Sequence, residues 1–510
     1  MHQIHDYLNQ LADKEILIFG LGREGLSTYR LLRHYLPSKK LWLIDEKGLG
    51  SLEASWQELN ERDTNVQFST HLDHPELETA QQIIVFKTPG VAPHNKILQQ
   101  ASELKAYFTS NTDLFFSLVD IINANLATKH TANKKIVTVG ITGTKGKSTT
   151  SALISHVLTT AGVHSFLGGN IGIAPLSLIE PLLETVQHNA SQYPVFAVLE
   201  LSCHQLHDIT HSPNYAVVLD ITPEHLDYYE DFNEYVQAKS HICMYQTQSD
   251  FAIFDSTLYL PKKIAHLSDA QQLTFSYDRN VRDNWITYET PQLGKTHEQT
   301  PTANQVNLTN QAEQTGQIVD LDSLPLIGAH TIANALPSVV IAKQLGITNN
   351  AIAQALQSFK TLPHRLELVQ ELAGVSYYND SLSTTPVATI AAIKSFANAP
   401  IILIAGGFDR GLDYSELAQT IVDHQIKHLI LLPDTGEIIL EEVEKRLEHN
   451  RGELSYTRVA SMSQAVRTAK QQAKPGDIVL MSPASASFNL FADYQDRGEQ
   501  FRKFVADKDT

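Results

Sequence analysis

The residues with the clearest chemical potential form a glycine-rich turn in the segment 139–150, Val-Gly-Ile-Thr-Gly-Thr-Lys-Gly-Lys-Ser-Thr-Thr. An apolar strand is expected to enter this turn, and a helix is expected to begin at Ser151. Such a turn points backbone N–H groups at an anion, and the helix N-terminus adds partial positive charge. Lys147 would reach the β- and γ-phosphates of a nucleoside triphosphate, and the Ser148 hydroxyl would hold Mg²⁺. The residues of this predicted site are Gly143, Thr144, Lys145, Gly146, Lys147, Ser148 and Thr149.

Two polar turns follow predicted buried strands further along the chain. Glu200 ends a strand expected over 195–199, and His225 lies in the turn after a strand expected over 216–219. Ligands of open α/β sheets bind at the carboxyl ends of the strands. Mg²⁺ takes few protein ligands, together with waters and phosphate oxygens. Glu200 and His225 are therefore predicted to serve, with Ser148, as ligands of a magnesium ion.

A second glycine-rich turn, Gly-Leu-Gly-Arg-Glu-Gly at 20–25, lies between a predicted strand and a predicted helix. Asp45 ends the next strand, near the place where dinucleotide folds carry an acid that binds ribose. Alone, this pattern would suggest a dehydrogenase. The same turn also packs against other nucleotide diphosphates, and Asp45 alone could be a solvated carboxylate, so sequence chemistry leaves the ligand open.

These turns require parallel sheets to position them, and three α/β blocks can be identified. Strand, helix and strand in that order predict parallel pairing and doubly wound sheets. A helix is expected over 26–35, and strands are expected over 15–20, 41–44, 82–86, 136–139, 195–199, 216–219, 401–404, 428–432 and 478–481. We predict an α/β protein with a Rossmann-like domain over 1–112, a central P-loop ATPase-like domain over 113–363 and a Rossmann-like C-terminal domain over 364–510.

Composition narrows the class of protein. A length of 510 residues suggests about three domains. The formal net charge of −17 argues against general nucleic-acid binding, which needs a basic surface. Cys203 and Cys243 are the only cysteines, which fits a reducing compartment. The N-terminus lacks an apolar signal core, and no apolar run approaches the ~20 residues of a membrane span. We expect a cytoplasmic monomer without nucleic-acid or membrane partners.

The stretch 288–316 is rich in Gln, Thr and Asn. On composition we interpret it as a surface hairpin or mobile loop and not as a functional module. Whether it contacts a partner is left open.

The first glycine-rich turn has a short form, Gly-Thr-x-Gly-Lys-Ser, with Ile141 where the standard P-loop has a glycine. This form resembles the loop of the Mur ligase family, the ATP-dependent amide-forming ligases of peptidoglycan assembly. The segments around Glu200 and His225 resemble the Glu-Leu-Ser-Ser and Asn-x-Thr-x-Asp-His motifs of the glutamate-adding members. Cys203 and Asp220 depart from those motifs. The resemblance covers nearly the whole chain in at least six ordered motifs.

By this resemblance, the N-terminal turn binds the uridine nucleotide of UDP-N-acetylmuramoyl-L-alanine. The residues that it implies for this part of the substrate are Gly22, Arg23, Glu24, Asp45, Thr88, Pro89, Gly90 and Asn170. Lys239 matches the family lysine that is carbamylated and helps to bind a second Mg²⁺. From sequence chemistry alone, Lys239 would be an ordinary helix lysine.

The resemblance also assigns the remainder of the ATP site. Asn334 lies in a segment similar to Gly-x-His-Asn-x-x-Asn and would contact adenine, although Thr331 replaces the first Asn. Arg365 would approach the ATP phosphates when the third domain closes, and a guanidinium suits phosphate because it is a rigid fork of donors. Asp380 would bind the ribose hydroxyls.

The C-terminal segment 480–501 resembles the ending of the glutamate-adding ligases. The residues implied for the incoming amino acid are Thr384, Arg410, Ser487, Phe488 and Tyr494. Two lysines of the family pattern are replaced here, one by Leu382 and one by Arg410. These departures leave D-glutamate and L-glutamate both open as substrates.

The resemblance thus implies a ligase that uses ATP and two Mg²⁺ ions to add D-glutamate to UDP-N-acetylmuramoyl-L-alanine through an acyl phosphate, in peptidoglycan synthesis. Its catalytic residues would be Lys147, His225, Lys239 and Arg365. A variant that adds L-glutamate is the nearest alternative. A folyl-polyglutamate synthetase would leave the N-terminal domain unexplained, and a dehydrogenase would leave the P-loop unexplained. An inactive nucleotide-binding scaffold is disfavoured because the side chains expected to bind phosphate and metal are all present: Lys147, Ser148, Glu200, His225 and Lys239.

Overall fold

The computed structural model describes residues 2–48, 50, 52, 54–128, 134–225, 228–276, 285–289, 305–309, 317–325, 328–396, 399–450 and 454–507. The chain divides into two compact units, one formed by Met1–Leu324 with Asn334–Gln357 and one by Pro325–Ala333 with Ser358–Thr510. The first unit contains an N-terminal and a central sheet, and the second contains a C-terminal sheet. The predicted α/β class is confirmed. The domain boundaries at 1–112, 113–363 and 364–510 stay predictions.

The N-terminal sheet is parallel throughout and has the order β3-β2-β1-β4-β5. Its strands are β1 (Glu15–Phe19), β2 (Leu41–Ile44), β3 (Val66–Ser69), β4 (Ile83–Lys87) and β5 (Tyr107–Thr109). Its helices are α1 (His2–Asn9), α2 (Arg23–Tyr35), α3 (Ala54–Arg62), α4 (Pro75–Glu78) and α5 (Lys96–Glu103). The strand order reverses between β1 and β4, which creates the crevice where such sheets bind ligands.

The helix predicted over 26–35 begins earlier, at Arg23. Two glycines permit this tight connection. Gly20 has a φ of 90°, in the region where glycine carries no steric penalty. A Cβ on Gly25 would lie 2.3 Å from the carbonyl oxygen of Gly20, so only glycine lets the helix pass the turn. Arg23 and Glu24 consequently lie in the first turn of α2.

The central sheet has the order β14-β12-β13-β11-β10-β9-β6-β8-β7. Its strands are β6 (Ile136–Thr142), β7 (Ser165–Gly169), β8 (Val195–Glu200), β9 (Tyr215–Val218), β10 (Phe251–Asp255), β11 (Gln271–Ser276), β12 (Trp285–Glu289), β13 (Gln305–Thr309) and β14 (Gln317–Asp320). The helices of this part of the chain are α6 (Asn111–Ala127), α7 (Lys147–Thr160), α8 (Ile179–His188), α9 (Cys203–Leu206), α10 (Phe232–Met244), α11 (Tyr259–Ala265), α12 (Ala329–Gln344) and α13 (Asn349–Ser358). Strands β6 and β8 are buried along their whole length, as expected of parallel strands covered on both faces.

The helix after the P-loop begins at Lys147 and not at Ser151, so that expectation was wrong. The strand before it extends to Thr142, which shortens the turn to the residues between them. Gly143 and Gly146 have φ values of 151° and 87°, which let the chain reverse within so few residues. Lys147 therefore lies in the first helical turn, where backbone N–H groups lack partners within the helix.

The stretch 288–316 contributes to the central sheet where it is described. Strands β12 and β13 pair in antiparallel fashion, which confirms a hairpin-like pairing, and β13 runs parallel to β11. The residues 290–304 and 310–316 lie outside the described part of the chain.

The C-terminal sheet has the order β15-β16-β20-β17-β18-β19. Its strands are β15 (Glu367–Leu372), β16 (Val375–Asn379), β17 (Ile401–Gly407), β18 (His428–Asp434), β19 (Tyr456–Arg458) and β20 (Ile478–Met481). Its helices are α14 (Pro386–Lys394), α15 (Ser415–Asp423), α16 (Thr435–Asn450), α17 (Met462–Gln472) and α18 (Tyr494–Ala506). All pairs are parallel except β15 with β16, and apolar clusters cover both faces.

Within the ranges described above, the structure contains no helix that is both long and apolar enough to cross a membrane.

Candidate active site

The P-loop and Glu200 lie side by side at one edge of the central sheet. Ile141 of β6 pairs with Glu200 of β8, and Thr142 pairs with Val218 of β9 on the other side. Because these parallel strands end together, the segment leading to His225 leaves the sheet at the same edge. The sequence predicted this juxtaposition from strand ends alone.

The P-loop is anchored to the segment that follows β9. The backbone N–H of Thr144 donates to the Asp220 carbonyl at 2.8 Å, and the Thr144 hydroxyl donates to the Thr222 carbonyl at 2.9 Å. The Lys147 ammonium donates to the Gly143 carbonyl at 3.0 Å and to the Thr144 carbonyl at 2.9 Å. Lys147 therefore lies over the loop that is predicted to hold phosphates.

The other residues predicted for ATP lie around this loop or in the second unit. A Cβ on Gly146 would lie 2.3 Å from Oδ1 of Asn334, so Asn334 packs directly against the turn. Lys145 is exposed, Ser148 is partly exposed and Thr149 is buried. The first turn of α7 thus presents Ser148 beside Lys147.

Glu200 is the best candidate metal ligand. Its side chain is 2% exposed, and its Oε1 atom accepts a hydrogen bond from Nδ2 of Asn170 at 2.8 Å. Its Oε2 atom is buried and has no hydrogen-bond partner among the described residues. A buried carboxylate oxygen without a donor is costly, and a cation would satisfy it. The residues at this edge therefore fit Mg²⁺.

His225 lies in a left-handed conformation, with a φ of 57°. Its side chain is 43% exposed, and its Nε2 atom is 3.7 Å from Oε2 of Glu224. Its ring lies 4.8 Å from that of His204. The described residues contain no cluster of three His, Cys, Asp or Glu side chains that could hold a metal ion, so a magnesium ion here would complete its shell with water and phosphate oxygens.

Substituting Glu200 with glutamine should weaken magnesium binding while preserving the fold. The amide oxygen can still accept from Asn170, but it carries no charge toward a cation. We expect the Mg²⁺ concentration for half-maximal ATP turnover to rise by about 10–100-fold. A magnesium titration of steady-state ADP release measures this, and an unchanged half-maximal concentration would rule out Glu200 as a ligand.

Lys239 lies on α10, and its side chain is 1% exposed. Its ammonium donates to the Gly143 carbonyl at 2.9 Å, and it lies 4.7 Å from the centre of the Tyr235 ring. Burial, together with the nearby Lys147, lowers the pKa of Lys239 to about 7. An unprotonated amine is the form that reacts with CO₂, so the surroundings of Lys239 favour the predicted carbamylation.

Gly22, Asp45 and the 88–90 turn, all predicted to contact the uridine nucleotide, follow the carboxyl ends of β1, β2 and β4. The Asp45 carboxylate accepts the backbone N–H groups of Leu21 and Lys47, each at 3.0 Å, so it braces the glycine-rich turn. A Cβ on Gly20 would lie 2.0 Å from the Thr88 hydroxyl. Thr88 is buried, Pro89 is partly exposed, and both Gly90 and Gly22 are exposed. The exposed glycines leave backbone accessible to a ligand.

Arg23 and Glu24, also predicted to surround the uridine nucleotide, form hydrogen bonds with the end of β7, the residues after it and α9, and their contact with the nucleotide stays a prediction. The Arg23 guanidinium donates to the carbonyls of Gly172 and Asn170, each at 2.8 Å, and of Gly169 at 3.3 Å. Glu24 is 7% exposed, and its Oε1 atom accepts from Nε2 of Gln205 at 2.7 Å. Burial raises the pKa of Glu24 to about 7.

Sequence reasoning did not identify Gln205. Its side-chain oxygen accepts the Ser202 backbone N–H at 2.9 Å, while the Ser202 hydroxyl accepts the Gln205 N–H at 3.2 Å. This reciprocal pattern is a capping box, and the spacing of Ser and Gln would have predicted it. The cap leaves the Gln205 amide free to reach Glu24, so the nucleotide turn is tied to the strand end of Glu200.

In the second unit, Arg365 lies between two residues with left-handed backbone. His364 has a φ of 64° and Leu366 a φ of 41°. The Leu366 N–H donates to Oδ1 of Asp380 at 3.1 Å, and the Leu382 N–H donates to the His364 carbonyl at 3.0 Å. Such a strained turn persists only when its surroundings fix it, so these bonds determine where Arg365 is presented.

Asp380 is buried, and both of its carboxylate oxygens accept hydrogen bonds from the protein. Besides the Leu366 N–H, it accepts the Ser482 hydroxyl at 2.7 Å. Burial raises the pKa of this carboxyl to about 6. These bonds favour a role for Asp380 in holding the Arg365 turn, and its contact with ribose stays a prediction.

Arg497 is a buried organiser of this unit that sequence reasoning did not assign. Its guanidinium donates to the Ser381 hydroxyl and carbonyl at 3.0 and 2.8 Å and to the Ser485 carbonyl at 2.9 Å. It therefore connects the segment after β16 to the segment after β20. Burial lowers its pKa to about 10, so it remains charged at neutral pH.

Replacing Arg497 with methionine should lower the free energy of unfolding of this unit by about 3 kcal/mol or more, because it leaves buried oxygens without donors. Urea denaturation followed by circular dichroism measures the change. The exposed Arg467 offers the matched control, for which Arg467→Met should change stability by less than about 0.5 kcal/mol. Equal effects at both positions would contradict this assignment.

Of the residues predicted for the amino acid, Thr384 follows β16, Arg410 follows β17, Ser487 and Phe488 follow β20, and Tyr494 begins α18. Ser487 is buried, whereas Phe488 is 66% exposed and its ring lies 6.2 Å from that of Phe408. The backbone carbonyl of Tyr494 accepts the Ser381 hydroxyl at 2.7 Å. Arg410 is exposed and Thr384 is partly exposed.

Comparison with known proteins agrees with this arrangement. Residues 141–342 match the Mur ligase middle domain, and residues 364–485 match the Mur ligase glutamate ligase domain. The UDP-N-acetylmuramoylalanine–D-glutamate ligase of Streptococcus pneumoniae strain P1031 is 30% identical over 506 residues, covering 98% of this chain and 99% of that protein. The ligase of the same name from Clostridium tetani is 28% identical over 502 residues, covering 98% of both.

Solved structures show the same fold. A crystal structure of MurF from Acinetobacter baumannii has a TM-score of 0.57 and 14% identity, covering 99% of this chain and 98% of that one. MurF from Thermotoga maritima in complex with ADP has a TM-score of 0.54 and 15% identity, covering 97% of each. Identities this low show the fold alone. With a P-loop beside a buried carboxylate, and 30% identity to a ligase along almost its entire length, the chain belongs to the Mur ligase family of ATP-dependent, amide-bond-forming ligases.

Proposed function

We propose that this enzyme joins D-glutamate to the alanyl carboxylate of UDP-N-acetylmuramoyl-L-alanine at the expense of ATP, in the synthesis of peptidoglycan precursors. The observation that carries the proposal is the pairing of Ile141 with Glu200, which sets the P-loop beside a buried carboxylate with an unsatisfied oxygen. Relatives named as D-glutamate ligases match along the full chain. Together these supply both the phosphate chemistry and the choice of substrates.

The proposed reaction proceeds in two steps. An oxygen of the alanyl carboxylate attacks the γ-phosphorus of ATP, which breaks the bond to ADP and forms an acyl phosphate. The glutamate amine then attacks the acyl carbon, and the tetrahedral intermediate releases inorganic phosphate and a proton. Lys147 and Arg365 stabilise charge on the transferred phosphoryl group, and positioning provides most of the acceleration.

Magnesium would be held by Ser148, Glu200 and His225, and it would neutralise phosphate charge when bound. We propose that Lys239 carries a carbamate that helps to hold a second Mg²⁺. Its burial against the Gly143 carbonyl and its lowered pKa support this assignment.

The substrates are assigned to the turns described above. The residues proposed for the UDP-substrate are Gly22, Arg23, Glu24, Asp45, Thr88, Pro89, Gly90 and Asn170. Asn334 and Asp380 would contact the adenosine part of ATP. The residues proposed for the glutamate are Thr384, Arg410, Ser487, Phe488 and Tyr494.

We further propose a cytoplasmic monomer that acts on small molecules and binds neither nucleic acid nor membranes. The cysteines Cys203 and Cys243 are both buried and unpaired by disulfides, which fits a reducing compartment. Analytical ultracentrifugation would test the monomer directly.

L-Glutamate is the second candidate substrate. Leu382 stands where the family pattern has a lysine, and its backbone is fixed by the bond to the His364 carbonyl. An aliphatic side chain there cannot pair with a substrate carboxylate as an ammonium would. The change could therefore alter which enantiomer presents its amine correctly.

The test is ADP release from Mg-ATP and UDP-N-acetylmuramoyl-L-alanine with D-glutamate and L-glutamate in parallel reactions. Turnover with D-glutamate is expected. Turnover with L-glutamate alone would favour the second candidate. If neither enantiomer supports ADP release, both candidates are refuted.

A further inference from the structure

A buried cation lies beneath the turn predicted to bind the uridine nucleotide. The Nζ atom of Lys87, at the end of β4, lies 2.6 Å from Oδ2 of Asp208 and 3.2 Å from the Val91 carbonyl. The exposed fractions of the two charged side chains are 3% and 19%. A buried charge is costly unless it is paired and hydrogen-bonded, and Lys87 meets both conditions.

The groups that hold this turn come from the two segments that carry the candidate metal ligands. Asp208 lies in the segment that follows Glu200 and α9. Tyr228 lies shortly after His225, and its hydroxyl is 2.9 Å from the Val91 carbonyl and 3.3 Å from the Pro89 carbonyl. Lys87 and Tyr228 therefore converge on one acceptor, the carbonyl oxygen of Val91.

The opposite side of the turn contacts the glycine-rich turn directly. The Thr88 N–H donates to the Phe19 carbonyl at 2.9 Å, and the Val91 N–H donates to the Thr88 carbonyl at 3.1 Å. Gly20 packs against the Thr88 hydroxyl so closely that a Cβ would lie 2.0 Å from it. A displacement of Val91 would therefore also displace Thr88 and Gly20.

We propose that Lys87, Asp208 and Tyr228 are positioning residues that fix the acceptor-binding turn 88–90 relative to the metal-binding segments. This inference rests on the proposed function, in which one substrate spans from the uridine site to the transferred phosphoryl group. The carboxylate must lie about 3–3.5 Å from the phosphorus, and a misplacement of about 1 Å can cost on the order of 10²-fold in rate. The two ends of the substrate therefore have to be set at a defined separation.

The type of contact supports positioning over mere stabilisation. A buried ion pair is often replaceable by apolar residues of similar volume without loss of stability. Here, however, Lys87 pairs with Asp208 and also donates, like the Tyr228 hydroxyl, to the Val91 carbonyl. Only one arrangement of these groups satisfies all of the bonds. Lys87 is too deeply buried and too fully paired to contact the nucleotide itself, so it acts through the turn.

The test compares Tyr228→Phe and the double variant Lys87→Met/Asp208→Leu with the wild-type enzyme. We expect the double variant to recover most of the wild-type melting temperature. Its kcat/KM for UDP-N-acetylmuramoyl-L-alanine should nevertheless fall by about 10-fold or more, with the KM for ATP little changed. Tyr228→Phe should lower the same kcat/KM by about 3-fold or more, while the melting temperature falls only slightly, because Lys87 still donates to the Val91 carbonyl.

Asp63→Asn provides the matched control. Asp63 forms a pair of the same 2.6 Å length with Arg33, with exposed fractions of 18% and 14%, but both residues belong to the N-terminal sheet region. This variant should lower the melting temperature and leave kcat/KM for the acceptor unchanged. It separates loss of a buried pair from loss of positioning.

Wild-type kcat/KM in both Tyr228→Phe and the stable double variant would overturn the inference. Absence of ligase turnover in the wild-type enzyme would instead overturn the proposed function. In that case the dissociation constant of UDP-N-acetylmuramoyl-L-alanine, measured by calorimetry with a non-hydrolysable ATP analogue present, decides the inference. Equal constants in the wild type and the variants would contradict it, and weaker binding in the variants would support it.

Discussion

Replacement of Lys147 with alanine is expected to reduce kcat for ADP formation by on the order of 10²–10³-fold, the usual cost of removing one preorganised donor from a developing charge. The Lys147 ammonium lies over the P-loop, bonded to the carbonyls of Gly143 and Thr144. When ATP is bound, the Lys147 ammonium can donate to phosphate oxygens instead of these carbonyls. The other side chains of the first turn of α7 are uncharged and cannot replace it. Steady-state ADP release at saturating substrates measures the loss.

The same variant should bind UDP-N-acetylmuramoyl-L-alanine as the wild type does, because that substrate is assigned to the N-terminal crevice. Lys263→Ala, at an exposed position of α11, is the control for loss of a lysine and should retain full activity. Retention of more than about half of wild-type kcat in Lys147→Ala would mean that the P-loop does not handle the transferred phosphate.

Lys239→Ala is expected to lose about 10²–10³-fold in kcat, since a metal-binding group contributes several kcal/mol of transition-state stabilisation. Lys239 is buried against the P-loop carbonyl of Gly143, beside the loop that is predicted to hold the phosphates. Short carboxylic acids such as acetate should restore part of the activity by supplying the missing carboxylate. Kinetic titration of each variant with acetate measures this rescue.

Rescue distinguishes a missing ligand from damaged packing. A variant that fails only because Lys239 was part of the core would not respond to acetate, and its melting temperature would fall. Full activity of Lys239→Ala without added carboxylic acid would contradict the carbamate hypothesis. Lys263→Ala should show neither loss nor response.

The parts of the site carried by strand ends could be predicted from the sequence. Apolar runs that stop at Glu200 or at a glycine turn mark the carboxyl ends of buried parallel strands, and such ends necessarily meet at one edge of a sheet. The pairing of Ile141 with Glu200 confirms that reasoning. A strand end depends on the residues immediately around it, so the local sequence was sufficient to predict it.

The exact start of the helix after the P-loop could not be read from the same patterns. The glycine-rich pattern extends through Gly-Lys-Ser, so it predicts that the helix begins at Ser151. The structure begins the helix at Lys147 because Gly146 takes a left-handed turn packed against Asn334. That contact joins residues far apart in sequence, and the local pattern contains no information about it.

The contacts between the N-terminal and central sheets were also beyond sequence reasoning. The family resemblance implies that Arg23 and Glu24 contact the uridine nucleotide, which stays a prediction. It gave no indication that Arg23 bonds to residues after β7 or that Glu24 bonds to Gln205 of α9. Local sequence does not indicate that Gln205 bonds to Glu24 or that Asp208 pairs with Lys87, since contacts between distant segments depend on the tertiary arrangement. The hydrogen bonds of Arg497 to Ser381 and Ser485 could not be predicted for the same reason.

The most direct test of the proposed chemistry follows an oxygen atom. UDP-N-acetylmuramoyl-L-alanine labelled with ¹⁸O in the alanyl carboxylate is incubated with Mg-ATP, D-glutamate and the enzyme, and the inorganic phosphate is analysed by mass spectrometry. Formation of an acyl phosphate requires that one labelled oxygen leave with the phosphate, which is the expected result. Phosphate that carries only unlabelled oxygen, released alongside the amide product, would show that the carboxylate is not activated by phosphorylation and would contradict the proposed mechanism.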